Sequence, residues 1–258
     1  ISLITHCKLH DVISISKIND SRDKISFSGR FKKGINEKSN TITSVLNLLR
    51  ENKFLLNQSF KINIEKNIPH GSGLGGGSSN AADLLNYFNL EMKLKIKKNK
   101  VKKIARKIGF DVPINLEKKN TFLAGKKDKM FRSNQKFELN LLIIYPNVIC
   151  STKKIYQKNK TFSFLKSNFY NLFKNKNKLI MYLKKQNNDL EQSVIKFHPR
   201  VGSLINFIKI QNGCCFSRIT GSGSACIGIF SKMEDAIYAQ KQLNLKFKKY
   251  WSVVSKTI

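Results

Sequence analysis

The sequence predicts an α+β protein built as two lobes, each mixing strands with helices, with a cleft between them. Three observations predict it. An alternating strand at Phe60–Lys66 runs into a glycine-rich segment and then an amphipathic helix. Strand and helix signals recur in both halves of the chain. A lysine-rich stretch near 126–135 separates the halves, giving an expected division into domains 1–134 and 135–258.

The elements follow in order. Val12, Ile13 and Ile15 form one strand signal, and Ile25 and Phe27 begin another. A helix is expected over Thr41–Glu51, with Ile42, Val45, Leu46 and Leu49 on one face. Phe60, Ile62 and Ile64 alternate with polar residues, as in a strand with one covered face. Past the glycines, a helix carries Ala81, Ala82, Leu84, Leu85 and Phe88. The next carries Val101, Ile104, Ala105 and Ile108 and is closed by Gly109. The second half reads as a strand over Leu139–Tyr145, helices over 162–185, and a helix from Pro199 that ends at Gly213. A strand at Cys226–Phe230, a helix from Met233 with Glu234 and Asp235 in its first turn, and a strand near Trp251–Val254 finish it.

Composition excludes several classes. With 258 residues, 41% hydrophobic, the chain can bury a substantial core. No apolar run is long enough to span a membrane, and Ile1–Leu9 lacks the features of a secretory signal. The five cysteines include no Cys-x-x-Cys pair, and the four histidines have no metal-ligand spacing. A reduced, cytoplasmic protein without structural zinc is expected. The formal charge of +32 has two readings. One is nucleic-acid binding. The other is a lysine bias spread over every exposed face, giving only salt-sensitive attraction of anions. The even spread of lysine favours the second, so no specific nucleic-acid partner is expected.

Pro69-His-Gly-Ser-Gly-Leu-Gly-Gly-Gly-Ser-Ser-Asn-Ala-Ala82 is the most informative stretch. Glycines let backbone N–H groups close on an anion, and a following helix, expected to start at Ser78 or Ser79, aims its free N–H groups at the same place. Ser78, Ser79 and Asn80 would add neutral donors. The stretch lacks the Gly-Lys-Ser/Thr ending of a P-loop. It contains G-x-G-x-x-G at Gly71, Gly73 and Gly76, but the alternating strand before it does not suit a dinucleotide fold.

Pro-x-Gly-x-Gly-Leu-Gly resembles the phosphate-binding motif of the GHMP kinases. Gly109-Phe-Asp-Val-Pro113, Pro146 with Ser151-Thr152 and Ile155-Tyr156, Asn188-Asp-Leu-Glu191 with Pro199, and Arg218-Ile-Thr-Gly-Ser-Gly-Ser224 are similar, in order, to further segments of that family. The resemblance implies a ribosomal-S5-like first domain and a ferredoxin-like second domain. It implies ATP and Mg2+ as cofactors. The implied reaction is transfer of the ATP γ-phosphate to the 2-hydroxyl of 4-diphosphocytidyl-2-C-methyl-D-erythritol (CDP-methylerythritol), in the non-mevalonate route to isoprenoids. Pro69, His70, Gly71, Ser72, Gly73, Leu74, Gly75, Gly76, Gly77, Ser78 and Ser79 would wrap the ATP phosphates, with Thr220, Gly221, Ser222 and Gly223 closing over them. A tight turn before the Cys226 strand is the alternative for the latter four. Lys66 is either a charge partner of the phosphates or a solvated strand end. Asp111 is either the catalytic base or the cap of a short helix begun by Pro113. Ser151, Thr152 and Tyr156 would line the substrate side or a buried helix start. No side chain stands out as a metal ligand.

The family's opening Pro-Ala-Lys-x-Asn strand and Asp-Gly-Tyr-His hairpin have no match, and Ser2–Ile15 is similar to the segment that follows them. The expectation is therefore a sequence that begins late and a chain of low stability with weak activity or none. Other GHMP small-molecule kinases, such as those for mevalonate or homoserine, an inactive remnant, and a charge-driven nucleic-acid binder are the alternatives. The chain is expected as a monomer or weak homodimer.

Overall fold

The computed structural model describes residues 2–124, 129–159, 162–163 and 175–258. In the first half the elements are β1 (Ser2–Ile4), β2 (Val12–Ile18), β3 (Lys24–Ser28), α1 (Thr41–Glu51), β4 (Ser59–Glu65), α2 (Gly76–Leu90), α3 (Lys98–Ile108), α4 (Val112–Asn115), β5 (Asn120–Ala124) and β6 (Lys129–Ser133). In the second they are β7 (Asn140–Tyr145), α5 (Thr152–Lys158), α6 (Lys176–Lys184), α7 (Glu191–Phe197), α8 (Pro199–Lys209), β8 (Cys214–Ile219), β9 (Cys226–Phe230), α9 (Met233–Lys246) and β10 (Trp251–Lys256). The α+β class read from the sequence is the class observed. Among the described residues no helix is long and apolar enough to cross a membrane.

The chain divides into two compact units. One comprises residues 9–70 and 75–118; the other comprises 1–8, 71–74 and 119–258. Compactness thus changes hands at Lys119, whereas the reading from sequence divides the chain at 134/135.

The first unit is a three-stranded sheet, β2-β4-β3, covered by helices. Its middle strand, β4, pairs antiparallel with β2 and parallel with β3. Phe60, Ile62 and Ile64 of β4 are buried, and Ile42, Val45, Leu46 and Leu49 of α1 meet Leu84, Leu85 and Phe88 of α2 in the same core. The start of α1 is fixed by a reciprocal capping box. The Asn40 side chain accepts from the Ile42 and Thr43 N–H groups at 2.9 and 3.1 Å, and Thr43 Oγ1 accepts from the Asn40 N–H at 3.0 Å. Asp23 ties the start of β4 to α1. Its carboxylate accepts from Arg50 at 2.7 and 2.9 Å and from the Phe60 N–H at 3.0 Å.

The second unit contains a four-stranded antiparallel sheet, β10-β7-β9-β8, and a three-stranded sheet, β1-β5-β6. Leu142, Ile144, Ile219, Cys226 and Phe230 of the larger sheet pack with Val201, Leu204 and Ile208 of α8 and Ala236, Ala239 and Leu243 of α9. Gly228 lets α8 lie close on β9, because a Cβ there would stand 2.4 Å from Ile208 Cγ2. The lysine-rich stretch expected as a loop is in part a strand: β6 covers Lys129–Ser133 and pairs with β5, while residues 125–128 lie outside the described residues. The helices expected over 162–185 are seen as α6; residues 164–174 lie outside the described residues. All five cysteines are free.

Candidate active site

In the first unit, β4 leads through Lys66 into the glycine segment and α2 leaves it. Gly75, at φ +73°, is the N-cap of α2, so the helix begins at Gly76 rather than at Ser78 or Ser79. The reason is local. Glycine takes the left-handed N-cap freely, and the helix starts as soon as the glycine run permits. Ser78 and Ser79 therefore stand in the first turn, half-buried, while Gly75 and Gly77 are exposed and Gly76 is buried. The opening N–H groups of a helix have no partner within it, and this first turn carries no acidic residue, so it fits an anion. Thr41 Oγ1 donates to the Gly77 carbonyl at 3.1 Å and steadies the turn from α1. Pro69 is buried, and His70 Nε2 lies 3.0 Å from the Lys33 carbonyl oxygen.

Two donors expected at the phosphates are occupied elsewhere. The Asn80 amide donates at 2.8 Å to Asp11. Lys66 is not a solvated strand end: only 3% exposed, it holds its ammonium against the Asp11 carboxylate. Asp11 was missed in the sequence reading, although it is the first acidic residue of a chain with 48 Lys and Arg against 16 Asp and Glu, and it stands just before an alternating strand.

Asp111 lies between α3 and α4 at the cap position of the latter, yet its side chain makes no capping bond. The short helix is instead held by its carbonyl, which accepts from Asn115 Nδ2 at 2.8 Å and from the Ile114 N–H at 3.2 Å. The capping alternative therefore falls. No cation stands within ion-pair distance of the carboxylate among the described residues. The side chain reaches solvent, but the protein around its base strips part of its hydration, and this burial holds its pKa above the usual carboxylate value.

In the second unit, residues 71–74 are interlocked with the turn 220–225. The Ala225 N–H donates to the Ser72 carbonyl at 3.0 Å, Thr220 Oγ1 to the Gly73 carbonyl at 3.4 Å, and the Cys150 N–H to the Gly71 carbonyl at 3.1 Å. A Cβ on Gly223 would lie 1.9 Å from the Ser72 carbonyl carbon, and one on Gly73, at φ +82°, would lie 2.2 Å from the Thr220 oxygen. Only glycine fits at either place. Leu74 is half-buried beside them, and Gly221 adopts φ +55°. Behind the turn, Asn188 Nδ2 donates to the Gly221 carbonyl at 2.8 Å, and Glu191 accepts from the Ile219 N–H at 2.9 Å. Burial raises the Glu191 pKa against the lowering effect of that N–H and of Arg218. Neither residue was assigned a role from sequence, though both lie in the quoted Asn-Asp-Leu-Glu motif.

The proposed substrate-side residues lie in the same unit. Ser222 Oγ donates to Thr152 Oγ1 at 3.0 Å, which brings one member of each expected group together. Ser151 caps α5 through Lys154 N at 3.4 Å. That helix start is exposed, not buried; Ile155 alone anchors α5. Tyr156 is exposed and stacks on Phe162, with ring centroids 6.2 Å apart.

Known proteins align with this arrangement. Residues 40–117 match the GHMP kinases N terminal domain and 169–249 match the GHMP kinases C terminal domain. The 4-diphosphocytidyl-2-C-methyl-D-erythritol kinase of Pelagibacter ubique (strain HTCC1062) is 40% identical over 258 residues, covering 100% of this chain and 90% of the relative. That of Clostridioides difficile (strain 630) is 29% identical over 257 residues, covering 96% and 83%. Among solved structures, a 4-(cytidine 5'-diphospho)-2C-methyl-D-erythritol kinase superposes with a TM-score of 0.75 at 19% identity, over 99% of this chain and 89% of that one. A homoserine kinase from Cytophaga hutchinsonii superposes at 0.65 with 16% identity, over 96% and 85%. With the glycine loop, the Gly-Phe-Asp segment and the second glycine turn all in family order, the chain belongs to the GHMP kinases, and within them to the 4-diphosphocytidyl-2-C-methyl-D-erythritol kinase family.

Proposed function

We propose that this protein transfers the γ-phosphate of ATP to the 2-hydroxyl of 4-diphosphocytidyl-2-C-methyl-D-erythritol. The observation that carries the kinase reading is the start of α2: an exposed, glycine-framed helix N-terminus without an acidic residue in its first turn. Backbone N–H groups there and along 69–79 bind the triphosphate, and the turn Thr220–Gly223 closes on it. Asp111 accepts the proton of the attacking hydroxyl. An unpaired carboxylate with a raised pKa is a better proton acceptor than a solvated or ion-paired one. Ser151, Thr152 and Tyr156 contact the acceptor. The choice of acceptor rests on the relatives, which are kinases of that alcohol by name.

Mg2+ neutralises triphosphate charge in reactions of this class. Among the described residues no three His, Cys, Asp or Glu side chains stand together as a metal site, and the ion would enter with the triphosphate it accompanies. Lys66, held on Asp11, is assigned to shaping the loop rather than to touching phosphate.

The test is a competition assay. Mg-ATP is supplied with CDP-methylerythritol, mevalonate and homoserine together, and the products are separated by mass. Phosphorylation of the cytidine-linked alcohol alone supports the proposal. Preference for either of the others overturns the choice of acceptor and retains the kinase.

A further inference from the structure

Asp11 sits where β2 begins, and the pairing of Val12 with Glu65 brings it beside the end of β4. Its side chain is fully enclosed, at 0% exposure. Oδ1 accepts from the Asn67 N–H at 2.7 Å and the Ile68 N–H at 2.8 Å. Oδ2 accepts from Asn80 Nδ2 at 2.8 Å and from the Lys66 ammonium. One buried carboxylate thus holds the residues that lead into the glycine segment and the helix that leaves it. Each of its partners would be left unsatisfied without it, and Lys66 would become a buried, uncompensated charge. The Lys66 main chain is itself pinned. Its N–H donates to Ser28 at 2.8 Å and its carbonyl accepts from Phe31 at 3.1 Å. Gly29, at φ +82°, passes so close that a Cβ would lie 2.8 Å from the Lys66 backbone.

We propose that Asp11 is a positioning residue for ATP: through Asn67, Ile68, Lys66 and Asn80 it fixes the two ends of the phosphate-binding segment so that the α2 N–H groups keep the spacing the triphosphate needs. This deepens the kinase reading and rests on it. Neutral donors bind an anion well only when they are held to within about half an ångström of their working positions. A glycine-rich backbone cannot hold itself there, because glycine has the largest conformational freedom to lose. The hold has to come from outside the glycines: Thr220, Ala225, Cys150 and Thr41 grip residues 71–73 and 77, and Asp11 joins the two flanks.

An ion pair at the other end of β4 supplies the control. Asp23 has the same chemistry, a carboxylate taking Arg50 and one strand N–H, but it serves the start of the strand and not the glycine segment. Asp11→Asn, Asn80→Ala and Asp23→Asn are compared with the parent for Tm and for the affinity of Mg2+-AMP-PNP by calorimetry, and KM is measured for ATP and for the acceptor. The expected result is a rise in Kd and in KM for ATP of about tenfold or more in Asp11→Asn, and a smaller rise in Asn80→Ala. KM for the acceptor should stay within about twofold of the parent, because the donors displaced are those of the phosphate-binding segment. Asp23→Asn should lower Tm and leave nucleotide affinity as it was. Unchanged affinity in Asp11→Asn, or an equal loss in Asp23→Asn, would overturn the proposal. If Asp11→Asn does not fold, Asn80→Ala decides, since it removes one of the donors and leaves the ion pair; parental affinity there is the overturning result. A parent that binds no nucleotide overturns the kinase reading and this inference with it, whereas a binding parent with unaffected variants overturns this inference alone.

Discussion

Gly223→Ala adds one methyl group at the tightest backbone contact near the proposed phosphate site. The new carbon would stand 1.9 Å from the Ser72 carbonyl carbon, 2.0 Å from its oxygen and 2.1 Å from the Gly73 nitrogen. All three are backbone atoms, so no side chain can rotate away. An ordinary contact begins near 3.4 Å, and the turn must separate from residues 72–73 by about 1.5 Å. A displacement of roughly 1 Å at a reacting centre costs on the order of a hundredfold in rate, so kcat/KM for ATP should fall by at least about that factor. Forced overpacking also costs about 1–3 kcal/mol, a fall in Tm on the order of 5 °C for a chain of this size. Gly77→Ala is the informative partner. A Cβ at Gly77 meets nothing nearer than Thr41 Oγ1 at 3.8 Å, and helix propensity favours alanine by up to about 1 kcal/mol. Its Tm should hold or rise, and its loss of kcat/KM for ATP should be far smaller than that of Gly223→Ala, because nothing has to move to admit the methyl group. The assay is steady-state kinetics against ATP with parallel thermal melts. A Gly223→Ala protein with parental Tm and parental kcat/KM would refute the reasoning.

The other expectations are as specific. Asp111→Asn should lower kcat by about a hundred- to ten-thousandfold, the range supplied by a positioned general base. Burial raises the Asp111 pKa, so its ionised form costs the native state stability at neutral pH; the folded carboxyl favours its proton, and this contribution is present in acid and lost as pH rises through the folded pKa. The asparagine variant should therefore melt no lower than the parent at pH 7, a margin that vanishes in acid melts. Leu49→Ala, at a fully buried site on α1, should lose about 2–5 kcal/mol by urea unfolding. Cys226 is buried with its thiol pKa pushed up, and the Cys214 pKa is pushed up to about 11 by burial. Alkylation at pH 8 should spare Cys226 until the protein unfolds, as peptide mapping would show.

Much of the first unit was legible because its signals are periodic. The α1 stripe and the β4 alternation fall where the burial lies, and Gly109 ends α3 as expected. The glycine segment was legible because its composition admits few other uses. What escaped was short or irregular. β1 has 3 residues, β8 reads Cys-Cys-Phe-Ser-Arg-Ile with a register shift between Cys214 and Phe216, and β6 lies in the lysine-rich stretch. No alternation marks these strands, and β1 pairs with β5 from the far side of the first unit's sequence. Of the proposed site, the sequence singles out the glycines and Asp111, because their motifs are local. Asp11 was not, because its meaning depends on residues 55 to 69 positions away. A single carboxylate in an apolar segment shows nothing in sequence about the four groups it will bind. Asn80 and Lys66 illustrate the same limit: their residue types suit phosphate, and their neighbours in space use them otherwise.

The most direct test of the central claim is transfer itself. The chain and its Asp111→Asn variant are incubated with γ-labelled Mg-ATP and CDP-methylerythritol, and AMP-PNP affinity is measured on the same samples. The expected result is label on the 2-hydroxyl with the parent, transfer slower by at least about a hundredfold with the variant, and equal nucleotide affinity in the two. Transfer by the variant at the parental rate would contradict the role of Asp111. Nucleotide binding by the parent without transfer to this alcohol would contradict the proposed reaction.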